Sequence, residues 1–154
     1  MSDDISRWRI SLFNFPPTME LYKQMLYHGI PAIELEINFW ADYPNSPPFV
    51  RVVHPILKPF LSGGGGHVTI GGSVCLEMLT NSRTAFGWRD NFTIENVLEQ
   101  VFLAMQSYDP RPAVLDHYWN STYSEKEARI AYRRLTGNHN WPVPKSFGTK
   151  AKIN

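Results

Sequence analysis

The stretch that most constrains the fold is Ile33 to Phe39. Ile33, Leu35, Ile37 and Phe39 alternate there with Glu34, Glu36 and Asn38. Successive side chains of an extended chain point to opposite faces, so this period of two specifies a strand with one apolar and one polar face. It predicts an antiparallel strand half exposed to water. Pro44, Pro47 and Pro48 follow. Each lacks an N–H and fixes φ, which forces an extended turn before the next strand, Phe49 to Val53. Upstream, Trp8 to Phe15 reads as a first strand, with Trp8, Ile10 and Leu12 on one face, and Pro16-Pro17 ends it. Thr18 is placed to cap either a short helix or an irregular segment through His28.

The periodicity changes in the second half. Ile94, Val97, Leu98, Val101, Ala104 and Met105 recur at helical spacing behind a capping Thr93. A second helix is expected from Ser124 to about Leu135, with Glu127 at the capping-box position and Gly137 as its stop. Strands first and helices after predict an α+β domain, an antiparallel meander sheet packed against C-terminal helices. Of the aromatics, Trp8, Phe13, Phe39, Trp40, Phe102 and Trp119 read as core rather than as a stacking platform.

At 154 residues, with 43% hydrophobic and 19% charged residues, the chain fits one folded domain with one core. Its net charge of +1 argues against a strongly electrostatic nucleic-acid binder. No apolar run approaches a membrane span, and MSDDISRW has no signal-peptide h-region. The expectation is no nucleic acid, no membrane, and a cytoplasmic or nuclear location. The sequons at Asn91 and Asn120 read as chance. The tail after Trp141, with Pro142, Pro144 and three lysines, reads as loose. The expected division is a domain over 3–144 and a loose basic tail over 145–154.

Four consecutive glycines, Gly63 to Gly66, and then Gly71-Gly72 read as a flexible loop that lets backbone approach something closely. Without a following Gly-Lys-Ser/Thr they are not a phosphate-binding P-loop. Cys75, the one cysteine, comes next. It can form no internal disulfide and cannot anchor a multi-cysteine zinc site. Lone cysteines are mostly buried fillers. Fillers sit inside periodic apolar runs, however, whereas Cys75 follows a glycine loop with His67 close in sequence. A nucleophilic thiol needs that kind of access and a hydrogen-bonding neighbour.

Together these segments resemble the ubiquitin-conjugating enzymes. The resemblance runs roughly from Asp3 to Pro144. It rests on Tyr43-Pro44-Asn45-Ser46-Pro47-Pro48, on Cys75-Leu76-Glu77-Met78-Leu79, and on Trp88 ahead of Thr93-Ile94. FVRVV after the diproline, the glycine loop and the late GNHNWPVP are closer to the divergent Q-type subfamily. The resemblance implies that Cys75 carries ubiquitin or a ubiquitin-like modifier as a thioester. The modifier arrives from an activating enzyme and passes to an amine or hydroxyl acceptor. No metal and no cofactor is expected, since the thioester exchange that the resemblance implies needs neither. The rival reading is a non-catalytic ubiquitin- or partner-binding module of the same fold, possibly part of a larger protein.

The departures from the family pattern are specific. Counting back from Cys75 puts His67 where the family's oxyanion-supporting Asn stands. His67 is therefore a candidate for oxyanion support, for a base, or for a loop-ordering residue. His54-Pro55 lies too early to be that motif. Asp109, Asp116 and His117 fall in the stretch where the family places an acidic gate residue; Asp116 and His117 are the candidates named for it. Asn45 and Arg89-Asp90-Asn91 replace apolar ligase anchors, so an unusual ligase is implied. The family's usual first helix is not matched, since Trp8 already falls in the first strand.

Overall fold

The computed structural model describes residues 4–152. Asp3, the expected first residue of the domain, and Ile153-Asn154 of the tail lie outside the described residues. The chain forms β1 (Arg7–Leu12), α1 (Glu20–His28), β2 (Ile33–Asn38), β3 (Phe49–His54), α2 (Ile94–Gln106) and α3 (Glu125–Asn138). The three strands form an antiparallel sheet in the order β1-β2-β3. This is the expected α+β arrangement. No helix among the described residues is long and apolar enough to cross a membrane.

β1 ends three residues earlier than expected. Its last pairing is Leu12 with Ile33, after which Asn14 takes a left-handed φ of 61° and Phe15 drops into the core. The helix option holds for the next segment, but Met19 stands at its N-cap and no side chain caps it. Thr93 does cap α2, in a reciprocal box with Asn96, and Ser124 caps α3 through the Glu127 N–H. Gly137 does not stop α3. The helix runs on to Asn138 and ends at His139, because an interior glycine costs only about 1 kcal/mol against alanine.

One face of β2 packs as expected: Ile33, Leu35 and Ile37 share a core with Val97, Val101 and Met105 of α2. The other face is not exposed, and Glu36 is 0% accessible. The register explains why. Arg9 of β1 and Arg51 of β3 stand directly opposite Glu36. Arg51 Nε donates to Glu36 Oε1 at 3.1 Å and Arg9 Nε to Oε2 at 3.0 Å. Asn38 adds a third donor at 3.1 Å, and Arg51 also donates to the Tyr123 carbonyl just before α3. Burial works to raise the Glu36 pKa. The hydrogen bonds from Asn38 and Arg51 and the Arg51 and Arg7 charges overcome it, so the carboxyl lies below its usual range.

Two further expectations change. Trp8 and Phe13 are 44% and 57% exposed, so they are not core; Phe39 and Trp40 are. The tail is docked over residues 145–152. Phe147 packs with Trp40, Phe49, Ala128 and Tyr132 in a second apolar cluster. Backbone bonds from Ala41 to Thr149 and from Ala151 to Phe39 tie the strap down. A single aromatic in a Pro- and Lys-rich segment gives little periodic signal, yet burying one phenyl ring supplies about 2 kcal/mol or more.

Candidate functional site

The site is built by a hairpin at the open edge of β3. Residues 72–74 pair with β3 through Val52 N–H to Gly72 O (2.8 Å) and Val74 N–H to Val50 O (3.0 Å). The chain folds back on itself through the Val68–Val74 bridge and a Thr69–Gly72 turn. Gly72 is required in that turn. Its φ is +94°, and an added Cβ would lie 2.6 Å from the Tyr123 ring. The neck of the hairpin is a 2.6 Å bond from Cys75 N–H to His67 O. Two residues eight apart in sequence thus become cross-strand neighbours.

Gly64, Gly65 and Gly66 are buried and closely packed. A Cβ at Gly65 would sit 2.0 Å from the Arg111 carbonyl, and Gly66 N–H donates to that same carbonyl at 2.8 Å. The expected close backbone approach is therefore made to the segment 109–111, and it brings Asp109 to His67. His67 is held at a left-handed φ of 59°, and its Nε2 lies 2.8 Å from the Asp109 carbonyl. A carbonyl only accepts, so Nε2 carries the proton and the neutral ring leaves a lone pair on Nδ1.

Cys75 and His67 open together into a groove of about 580 Å³. Phe60, Gly65, Val68, Thr69 and Pro110 line it too, together with Leu135 and His139 at the end of α3. Burial pushes the Cys75 thiol up, which disfavours the thiolate, the nucleophilic form of the side chain. His139 was missed by the sequence reading. With Gly137 taken as a helix stop, the residues beyond it had no assigned direction. Because α3 continues, His139 arrives at its C-cap, stacked on Trp141 with centroids 4.3 Å apart. It also lies close enough to Glu77 for its charge to help lower that carboxylate, after the hydrogen bonds from Ser82 and Thr84.

Asp116 and His117 are not among the residues that line the groove. Leu115 bridges Leu57, Asp116 N–H donates to Ile56 O, and Asp116 Oδ1 accepts from Tyr118 N–H. His117 is exposed against the edge of Tyr118. This pairing fixes the segment outside the groove, so Asp109 rather than Asp116 meets His67. His54 bonds the Ser121 carbonyl at the end of β3 and does not line the groove either.

Trp88 locks a second surface. Its Nε1 donates to the Pro44 carbonyl at 2.8 Å, joining the proline turn to the loop that follows Cys75. Residues 1–134, which include this proline turn, the cysteine and the tryptophan, match the model of one known family, the ubiquitin-conjugating enzymes. The chain belongs to that family. A Q-like ubiquitin-conjugating protein of Drosophila melanogaster is 29% identical over 147 residues, covering 94% of this chain and 44% of that protein. A human Q-like ubiquitin-conjugating protein is 26% identical, over 94% of this chain and 85% of its own length. Human ubiquitin-conjugating enzyme E2 Q1 is 28% identical, over 94% of this chain and 33% of its length. The chain thus spans less than half of two of these relatives and most of the third. The Q-type likeness and the family fold both stand. Asn45 in the proline turn and Arg89 after Trp88 are exposed and polar, while Phe86 on the loop before Trp88 is 74% exposed.

Proposed function

We propose that this chain carries ubiquitin, or a ubiquitin-like modifier, as a thioester on Cys75 and transfers it to an acceptor. The observation that carries the reading is the groove itself, which opens on the one thiol of the chain with two imidazoles on its walls. The Cys75 sulfur attacks the thioester carbonyl presented by an activating enzyme. The activating enzyme's sulfur leaves with a proton, so the acyl bond stays activated and no cofactor enters this step. An acceptor then attacks the new thioester. His67 Nδ1 takes the acceptor's proton, and the Cys75 sulfur leaves.

The lining favours a hydroxyl acceptor over a lysine. None of the nine residues that line the groove is a carboxylate, so nothing in the wall attracts an ammonium or lowers the cost of bringing one in. An imidazole with a free Nδ1 suits a neutral O–H, whose proton must leave as the bond forms. Incubation with activating enzyme, modifier and ATP tests the proposal. A band removed by thiol reductant is expected, absent in Cys75→Ser or replaced by a reductant-stable ester. An undiminished reductant-sensitive band in Cys75→Ser overturns it.

A further inference from the structure

The near-neutral total hides a division of charge. Residues 124–154 hold seven lysines and arginines against two carboxylates, +5, while residues 1–123 hold eight against twelve, −4. α3 gathers much of the excess. Lys126, Arg129, Ile130, Arg133 and Arg134 follow the spacing i, i+3, i+4, i+7, i+8, which is one continuous stripe of a helix. Lys126, Arg133 and Arg134 are exposed, and Ile130, the apolar member at the centre, is 47% exposed. A groove of about 320 Å³ runs along the stripe, lined by Glu125, Lys126, Arg129, Ile130 and Arg133.

The docked tail adjoins this face. Phe147 packs against Tyr132 and sits beneath the Arg133 guanidinium, 4.8 Å from ring to charge. Gly148 lies beside Arg129. The strap therefore packs against α3, and Lys145 and Lys150 within it are exposed. Glu125 pairs with Arg129 and Asp4 with Lys150; among the described residues, Lys126, Arg133, Arg134 and Lys145 have no ion-pair partner.

Glu125 and Glu127 in the first turn complement the helix dipole, and Glu125 pairs with Arg129. The cations that follow, Arg133 and Arg134, have no such partner among the described residues, and Arg129 and Arg133 repel at i, i+4. We propose that this face is a docking site for an acidic protein segment, a run of Asp and Glu around one apolar side chain that covers Ile130. The chemistry separates this partner from other polyanions. A single-stranded nucleic acid is held by exposed aromatics on which bases stack, whereas Trp40 and Phe147 lie buried under guanidiniums here. A membrane surface needs a broad apolar face, and the stripe offers one isoleucine. The proposal is independent of the role of Cys75. α3 links the two sites, since its far end, Leu135, lines the cysteine groove about 14 Å along the axis from Lys126.

A fluorescent twelve-residue Asp/Glu-rich peptide with one central leucine is the probe, read by anisotropy on the full chain. Binding is expected to weaken steeply as salt is raised. Lys126→Glu/Arg133→Glu/Arg134→Glu should weaken it at least about tenfold, and Ile130→Ala by about fivefold, with thioester formation unchanged. Should the triple reversal fail to fold, the triple Gln variant decides the point through the same loss. Unaltered peptide binding in a folded triple variant overturns the proposal. So does a single-stranded oligonucleotide or an anionic vesicle that binds this face and is not displaced by the peptide.

Discussion

Replacing His67 separates its place in the fold from its place in the chemistry. The structure gives the side chain one hydrogen bond, to the Asp109 carbonyl at 2.8 Å, at a half-exposed site on the groove wall. A neutral bond of this kind contributes about 1 kcal/mol. The backbone sits at φ 59°, a region that costs a residue with a Cβ roughly 1 kcal/mol and glycine almost nothing. His67→Ala keeps the backbone cost and loses the bond, so it should be about 1 kcal/mol less stable, a fall of roughly 2–4 °C in melting temperature for a chain of this size. His67→Gly loses the bond but relieves the backbone, and should melt close to the parent. Activity should rank differently. In the proposed mechanism, Nε2–H donates to Asp109 and Nδ1 is the atom that takes the acceptor's proton. Removal of a general base slows the step about 10²-fold or more, so both variants should lose discharge alike despite their different stability. The assay is single-turnover discharge of the preformed thioester to glycerol and to hydroxylamine, from pH 6 to 8. Glycerol should suffer more, because hydroxylamine's nitrogen already carries a free lone pair. His67→Asn tolerates the left-handed backbone and donates a hydrogen bond but takes no proton. Discharge to glycerol at the parent rate in His67→Asn would refute the base assignment and restore oxyanion support; parent-like discharge in His67→Ala would leave only loop ordering.

Three structural predictions follow from the packing. Glu36→Gln should cost about 3 kcal/mol in denaturant unfolding, because three arginines lose their buried counter-charge. The folded-state pKa of Glu36 is lowered, so its contribution is complete above the usual value of 4.5 and is lost as pH falls through the folded pKa; the parent's acid destabilisation below pH 4.5 should be flatter in Glu36→Gln. Gly65→Ala should cost about 3 kcal/mol and slow discharge, since a Cβ 2.0 Å from the Arg111 carbonyl pushes the 109–111 segment away from His67. Phe147→Ala should cost about 3 kcal/mol by calorimetry and expose residues 145–152 to proteolysis, an outcome that a loose tail would not show.

Some features were fixed by short-range rules and were therefore readable. The alternation of Ile33, Leu35 and Ile37 and the stripe of Val97, Val101 and Met105 reflect the 2.0 and 3.6 periods of the backbone, and both settle in one core. Thr93 and Ser124 cap their helices because a cap needs only a hydroxyl and an N–H three residues on. The order of the proline turn, Cys75 and Trp88 was also legible, and it sufficed for the family. What the sequence could not show depends on partners distant along the chain. Glu36 looked solvent-facing because nothing nearby marks Arg9 and Arg51 as its neighbours; strand register alone brings them opposite. Phe147 looked like part of a loose tail because its partners, Trp40, Phe49 and Tyr132, lie just after β2, at the start of β3 and in α3. Counting back from Cys75 singled out His67, but only the fold set Asp109 against its Nε2 and so decided which nitrogen is free. His139 reaches the groove because α3 passes through Gly137, a modest propensity cost that tertiary packing overrides. Local pattern determined which elements form, while burial and register, which act between elements, decided which polar groups are paired and which face the thiol.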